Sequence, residues 1–273
     1  MKQSTGWMRG ALIVLAASHA QQLQNRLPLG LGFISDSSRL PKKYGGLIVG
    51  AQRVLSLHGI GAPHHGVTED ERFYWLGREA FVALLQTIVV TRERSDLPVV
   101  ITFDDGNQSD ASIALPELVK RNLKAFFFVV GGRIGLPHYL DRVALRDLIS
   151  AGMEIGSHGM HHSDWRRLES KMIHVEVDAS RHLIEDVCGE EVSEVAIPFG
   201  SYDRHVLKQL HAERLDCVYT SDGGLAQSDA WLKPRQAICN DMSEADMKLL
   251  ITRRPNLAAR LQYCAKRVYK RLR

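Results

Sequence analysis

The chain has only four cysteines, Cys188, Cys217, Cys239 and Cys264, scattered and with no C-x-x-C pair among them. This excludes a zinc knuckle and a dense disulfide framework, and leaves the compartment undecided. The apolar run near the N-terminus, Ala11 to Ala17, is too short to span a bilayer, so no transmembrane segment is expected. Charge of one sign is in small excess: 35 Lys and Arg against 31 Asp and Glu give a formal net charge of +4. That excess is gathered in Lys266, Arg267, Lys270, Arg271 and Arg273, a basic tail on an otherwise balanced chain. With no groove-reading motif either, nucleic acid is not an expected partner. There is no strict internal repeat.

What is present is enough apolar material, 45% of 273 residues, for one sizeable core. Residues 1–50 show no sustained periodicity and read as a leader or irregular segment. Lys2 and Arg9 precede the apolar run, and Ser18-His19-Ala20 has the form of a cleavage site. Both a short signal peptide and an unstructured leader fit. Localisation stays open between cytoplasmic or membrane-peripheral and, through that run, secreted or periplasmic.

From residue 51 to 255 short β-branched runs alternate with stretches of helical spacing. Strands are expected at 54–57, 99–103, 125–130, 153–156, 194–197 and 216–219. Helices are expected at 78–89, 109–121, 141–150, 170–187 (stopped by Gly189), 203–211 and 244–251. This alternation predicts βαβ units and an α/β fold: a distorted, incomplete (β/α) barrel of about seven parallel strands with outer helices. Residues 256–273 read as a basic, amphipathic C-terminal helix or tail.

Three clusters carry chemistry, and each follows an expected strand, where a parallel barrel places its active site. Thr102-Phe103-Asp104-Asp105-Gly106 ends a strand with two adjacent carboxylates, which repel unless a cation or shared proton relieves them; helix capping is the plainer reading. Ser157-His158-Gly159-Met160-His161-His162 holds two histidines four apart. A helical turn there would put His158 and His162 on one face, with His161 pointing elsewhere. Asp105, His158 and His162 would then form a two-histidine, one-carboxylate site with open positions, suited to one divalent ion. Zinc is the first expectation, and cobalt, nickel, manganese and iron also fit such a donor set. In Pro198-Phe199-Gly200-Ser201-Tyr202-Asp203 a tight loop could aim backbone N–H groups at an oxyanion or substrate, or be an ordinary turn.

These clusters, in this order and spacing, together with the strand run Leu123 to Gly131, resemble the NodB-like polysaccharide deacetylases, carbohydrate esterase family four. The likeness covers about residues 54–235. It implies a divalent metal and hydrolysis of N-acetyl, sometimes O-acetyl, groups on an acetylated carbohydrate such as an N-acetylglucosamine-containing glycan. By position, Asp104 resembles the family's catalytic base, Asp105 its carboxylate ligand, and His158 and His162 its imidazole ligands. Two features depart from the pattern. Ala196 stands where many members have the arginine that orients the base, and Arg235 is the candidate replacement. No histidine follows His211, so the family's late general acid is missing, and His58 is the candidate for that role. A metal amidohydrolase acting on a small amide and a carbohydrate-binding pseudoenzyme of the same fold are the competing readings. Oligomeric state is open.

Overall fold

A computed structural model describes residues 50–273; the leader expected at 1–50 lies, but for Gly50, outside the described residues. Seven strands run parallel in the order β1 (Ala51–Leu57), β2 (Val99–Asp105), β3 (Ala125–Val129), β4 (Glu154–Ser157), β5 (Glu194–Ala196), β6 (Cys217–Thr220) and β8 (Leu232–Pro234). Two further two-residue strands were not legible in the sequence. β7 (Ala226–Gln227) pairs antiparallel with β1, and β9 (Gln236–Ala237) pairs parallel with it. A single residue, Arg235, separates β8, bonded to β6, from β9, bonded to β1. The chain thus steps from one end of the sheet to the other across one residue, and the barrel is nearly closed at that seam.

The connecting helices are α1 (Glu69–Arg72), α2 (Arg78–Thr91), α3 (Leu115–Lys120, entered through a π-turn at Asp110–Ala114), α4 (Arg142–Ser150), α5 (Ser170–Cys188) and α6 (Arg204–Ala212); α7 (Glu244–Thr252) and α8 (Leu257–Leu272) end the chain. Side-chain caps start α4 and α6: Asp141 accepts from the Ala144 N–H at 2.8 Å, and Asp203 from the Val206 N–H at 3.0 Å. Gly189, left-handed at φ 71°, ends α5. No helix among the described residues is long and apolar enough to cross a membrane.

Alternation along the strands sorts the core into two layers. On β2 and β3, Phe103 and Phe127 stack at 4.8 Å in the layer under the helices, where α2 adds Phe81, Leu84, Leu85 and Ile88 at helical spacing. The intervening residues Phe126 and Phe128 pack with Val54, Ala196 and Tyr219 in a separate cluster. By the same parity Thr102 and Asp104 face away from the helices. Gly156 on β4 makes room for this layer, since a Cβ there would lie 2.5 Å from the Phe128 ring.

Candidate metal centre

A regular strand would send adjacent side chains to opposite faces. At the end of β2, Asp105 takes φ 78°, which breaks the alternation and lets both carboxylates serve one site. Asp104 and Asp105 are each under a tenth exposed.

Asp104 is held on two sides. Arg235 donates from both terminal nitrogens, Nη1 to Oδ1 at 2.6 Å and Nη2 to Oδ2 at 2.7 Å, and Nη1 also reaches Thr102 Oγ1 at 3.0 Å. The Ser56 hydroxyl donates to Oδ2 at 3.1 Å. Arg235 is wholly buried, its guanidinium 5.3 Å from the Phe128 ring centre. Burial alone would raise the Asp104 carboxyl, but Arg235, His158 and His58 outweigh it and hold it well below the usual carboxylate range. At Ala196, the position of the missing arginine, the backbone carbonyl instead accepts from His158 Nδ1 at 2.8 Å. That bond leaves His158 Nε2 as the ring's free lone pair, 3.9 Å from Asp105 Oδ1.

His162 is brought in differently from the sequence expectation. Residues 158–162 form no helix: Gly159 and His162 are left-handed, at φ 81° and 55°. The i, i+4 geometry is therefore corrected to a tight loop that folds back on itself. Its shape is fixed by Glu176, a buried acid on α5 that sequence reading passed over. Glu176 Oε2 accepts from the Met160 and His161 N–H groups, both at 3.1 Å, and Oε1 lies 2.7 Å from His161 Nδ1. Ser180 and Ser157 add a second brace, Oγ to Oγ at 2.8 Å, with Ser180 donating to the Gly159 carbonyl at 2.9 Å. A glutamate in a charged helix gives no local sign of such a role; its phase, on the same face as Ile173, Val177 and Ser180, was the available signal.

The outcome is convergence: ligand atoms of Asp105, His158 and His162 all lie within 4.8 Å of one another, a donor set of the kind hydrolytic metal sites use. Asp105 Oδ1 is buried without a hydrogen bond, although His162 Nε2 is 3.3 Å and Arg133 Nη1 3.5 Å away. A buried carboxylate oxygen without a partner costs free energy, and a cation among these donors would relieve it, so the residues fit a divalent ion. Burial pushes the His162 imidazole down to about 4, against the pull of Asp105, and His158 is also lowered, chiefly by burial; both rings stay neutral, as ligands must be.

Of the other expected residues, His58 places Nε2 3.9 Å from Asp104 Oδ2, its ring 5.0 Å from that of Tyr74 and its side chain 22% exposed. Pro198–Gly200 forms one 3-10 turn. Phe199 is left-handed at φ 58°, a costly conformation for an aromatic residue, and is 61% exposed with its ring 4.5 Å from that of His162. Two neighbours were missed. Arg133, after β3, lies beside Asp105 and over the Tyr139 ring at 5.0 Å. Asp110 is fully buried, and burial and the charge of Asp105 push its carboxyl well above the usual range.

Comparison with known proteins gives a consistent picture. The family pattern described as polysaccharide deacetylase matches residues 91–218. YxkH of Bacillus subtilis (strain 168), named for the polysaccharide deacetylases, is 27% identical over 145 residues, 52% of either chain. The chitooligosaccharide deacetylase of Bradyrhizobium sp. (strain ANU 289) is 30% identical over 125 residues, 45% of this chain and 55% of that protein. The matched segments thus span about half the length of these two relatives. Among solved structures, the Streptococcus pyogenes deacetylase PplD in complex with acetate superposes with a TM-score of 0.66 at 19% identity, covering 75% of this chain and 100% of that one. The Bacillus cereus polysaccharide deacetylase BC0361 gives 0.65 at 18% identity, over 75% and 70% of the two chains. These likenesses establish the fold.

Proposed function

We propose, from the polysaccharide deacetylase family pattern that residues 91–218 match, that this chain is a metal-dependent hydrolase of that family removing acetyl groups, N-acetyl first, from a carbohydrate such as an N-acetylglucosamine-containing glycan. The observation that carries the reading is the buried pairing of Arg235 with Asp104 beside the Asp105, His158 and His162 donors. In this reading 51–255 is the catalytic domain and 256–273 an appended helix.

Asp105, His158 and His162 would hold the ion, with zinc the first choice. When bound, a divalent ion supplies Lewis acidity toward an acetyl carbonyl and lowers the pKa of water. Asp104 is the general base that takes a proton from the attacking water. Arg235 and Ser56 hold its carboxylate in line, and the low pKa that Arg235 imposes keeps it ionised at every working pH while making it a weaker base. In the turn at Pro198, Phe199 and Gly200 the Phe199 N–H is the donor offered to the developing oxyanion, since Pro198 has no N–H and that of Gly200 donates to the Ile197 carbonyl at 2.9 Å. His58, next to Asp104, returns a proton to the departing amine.

A pseudoenzyme that only binds sugar has no use for a buried cation locking the base. The experiment that tests the proposal is acetate release by chelated and by zinc-reloaded protein on N-acetylglucosamine oligomers, O-acetylated sugars and small amides. Metal-dependent acetate from the oligomers supports it. Turnover of the small amides alone would favour the amidohydrolase reading, and no turnover on any of them the pseudoenzyme.

A further inference from the structure

Charge is divided unevenly along this chain. Residues 253–273 hold eight of the 35 Lys and Arg and none of the 31 Asp and Glu, so the other 252 residues carry 27 basic against 31 acidic side chains. The chain's net positive charge therefore belongs to the segment that forms α8. This helix has no buried residue. Leu257, Leu261, Val268 and Leu272 are 69%, 62%, 48% and 77% exposed. At 100° per residue they fall within an arc of about 60°, with Arg260 and Arg271 along its edge.

The opposite side of α8 is seated on the barrel. Lys270 donates to the Gly200 carbonyl at 2.6 Å and to Asp222 Oδ1 at 2.7 Å, and Lys266 to the Ser221 carbonyl at 3.2 Å. Tyr263 packs on Gly223, where a Cβ would lie 2.6 Å from its ring. With its inner side fixed, the helix presents the leucine row outward. A cavity of about 460 Å³ beside residues 254–267 and the β1–β7 edge is lined by Arg254, Arg260 and Arg267 together with Leu257 and Leu261, so cationic and apolar surface meet there again.

We propose that α8 is a membrane-surface anchor whose outer face lies in the interface of an anionic bilayer, the leucine row among acyl chains and the arginines on lipid phosphates. A second copy of the chain would set two such basic helices against each other, and a nucleic acid would leave the leucine row in water. An anionic bilayer satisfies both features at once. Because Lys270 holds the carbonyl next to Phe199, anchoring would keep the candidate site close to the bilayer. The anchoring itself does not depend on the deacetylase reading.

The test is flotation of the full chain with vesicles of phosphatidylcholine alone or with about 30% phosphatidylglycerol. Binding is expected only to the anionic vesicles, and is expected to weaken as salt is raised to ~1 M. Leu261→Glu combined with Val268→Glu should lower partitioning roughly a hundredfold, and Arg260→Ser with Arg271→Ser roughly tenfold, with the thermal unfolding midpoint unchanged in both. The proposal is overturned if the chain ignores anionic vesicles, or if the double Glu variant floats like the parent. It is equally overturned if that variant turns a dimer into a monomer while the parent binds no lipid, because the row would then be a self-interface.

Discussion

Arg235 and Asp104 are 131 residues apart in sequence and joined by two parallel charge-assisted hydrogen bonds of 2.6 and 2.7 Å. The pair is buried, and a buried pair that loses one member leaves an uncompensated charge. Arg235→Ala is expected to lower kcat by about 10² or more with little change in KM, and to cost roughly 3–5 kcal/mol of stability. Arg235→Lys should recover little of kcat, because an ammonium cannot reproduce the planar fork. Steady-state kinetics and denaturant unfolding of the two variants check this. Near-parental kcat in Arg235→Ala would remove the residue from base positioning.

The two adjacent acids should separate by assay. Asp104→Asn leaves Asp105, His158 and His162 in place and is expected to keep the metal while losing about 10²–10⁴ in kcat, the range general-base help supplies. Ala at Asp105, His158 or His162 should instead lower metal affinity and abolish turnover together. Elemental analysis after dialysis, set beside kcat at saturating zinc, distinguishes these outcomes.

Glu176 offers a test of the loop without touching a ligand. Its carboxylate accepts the two backbone N–H groups that shape residues 159–161. Glu176→Ala should therefore weaken metal binding about 10–100-fold, as loss of a ligand's supporting partner does, while at saturating metal kcat recovers. A zinc titration against a chromophoric competitor reads the change. An unchanged dissociation constant would mean that the loop holds its shape without the acid.

Acid should weaken the metal-free fold in a defined window. His162 is pushed down to about 4 by burial and His158 is also lowered, so between pH 6.5 and 4 the unfolded chain binds protons that the folded chain does not. The contribution of these two histidines is then fully present above about pH 6.5 and falls as pH is lowered toward 4, by on the order of 3 kcal/mol for His162, while Asp110, whose carboxyl burial raises, contributes in the opposite sense. Asp104, whose pKa is lowered, contributes stability that persists through this window and is lost only at more acid pH. Thermal unfolding of chelated protein across pH 4–7 measures the slope. His162→Asn should flatten it, and an equally steep slope in that variant would place the titration elsewhere.

The sequence alone determined the alternation of strands and helices, the strand ends at which Asp104 and Asp105, His158 and Pro198 sit, and the caps and stops such as Asp203 and Gly189. All of these are written within a few residues of one another, through side-chain periodicity and turn chemistry. What the sequence could only suggest was which distant groups meet. Arg235 could be named as a partner for Asp104, but its reach is set by the closure of the barrel, where one residue lies between the strand paired to β6 and the strand paired to β1. β7 and β9 are two residues long and leave no periodicity to read. The convergence of His158 and His162 came from left-handed loop geometry and from Glu176 on a separate helix, where spacing had suggested a helical turn. Tertiary structure decided these matters because a hydrogen bond between remote segments exists only after the strands between them have paired, and that pairing is a property of the whole sheet.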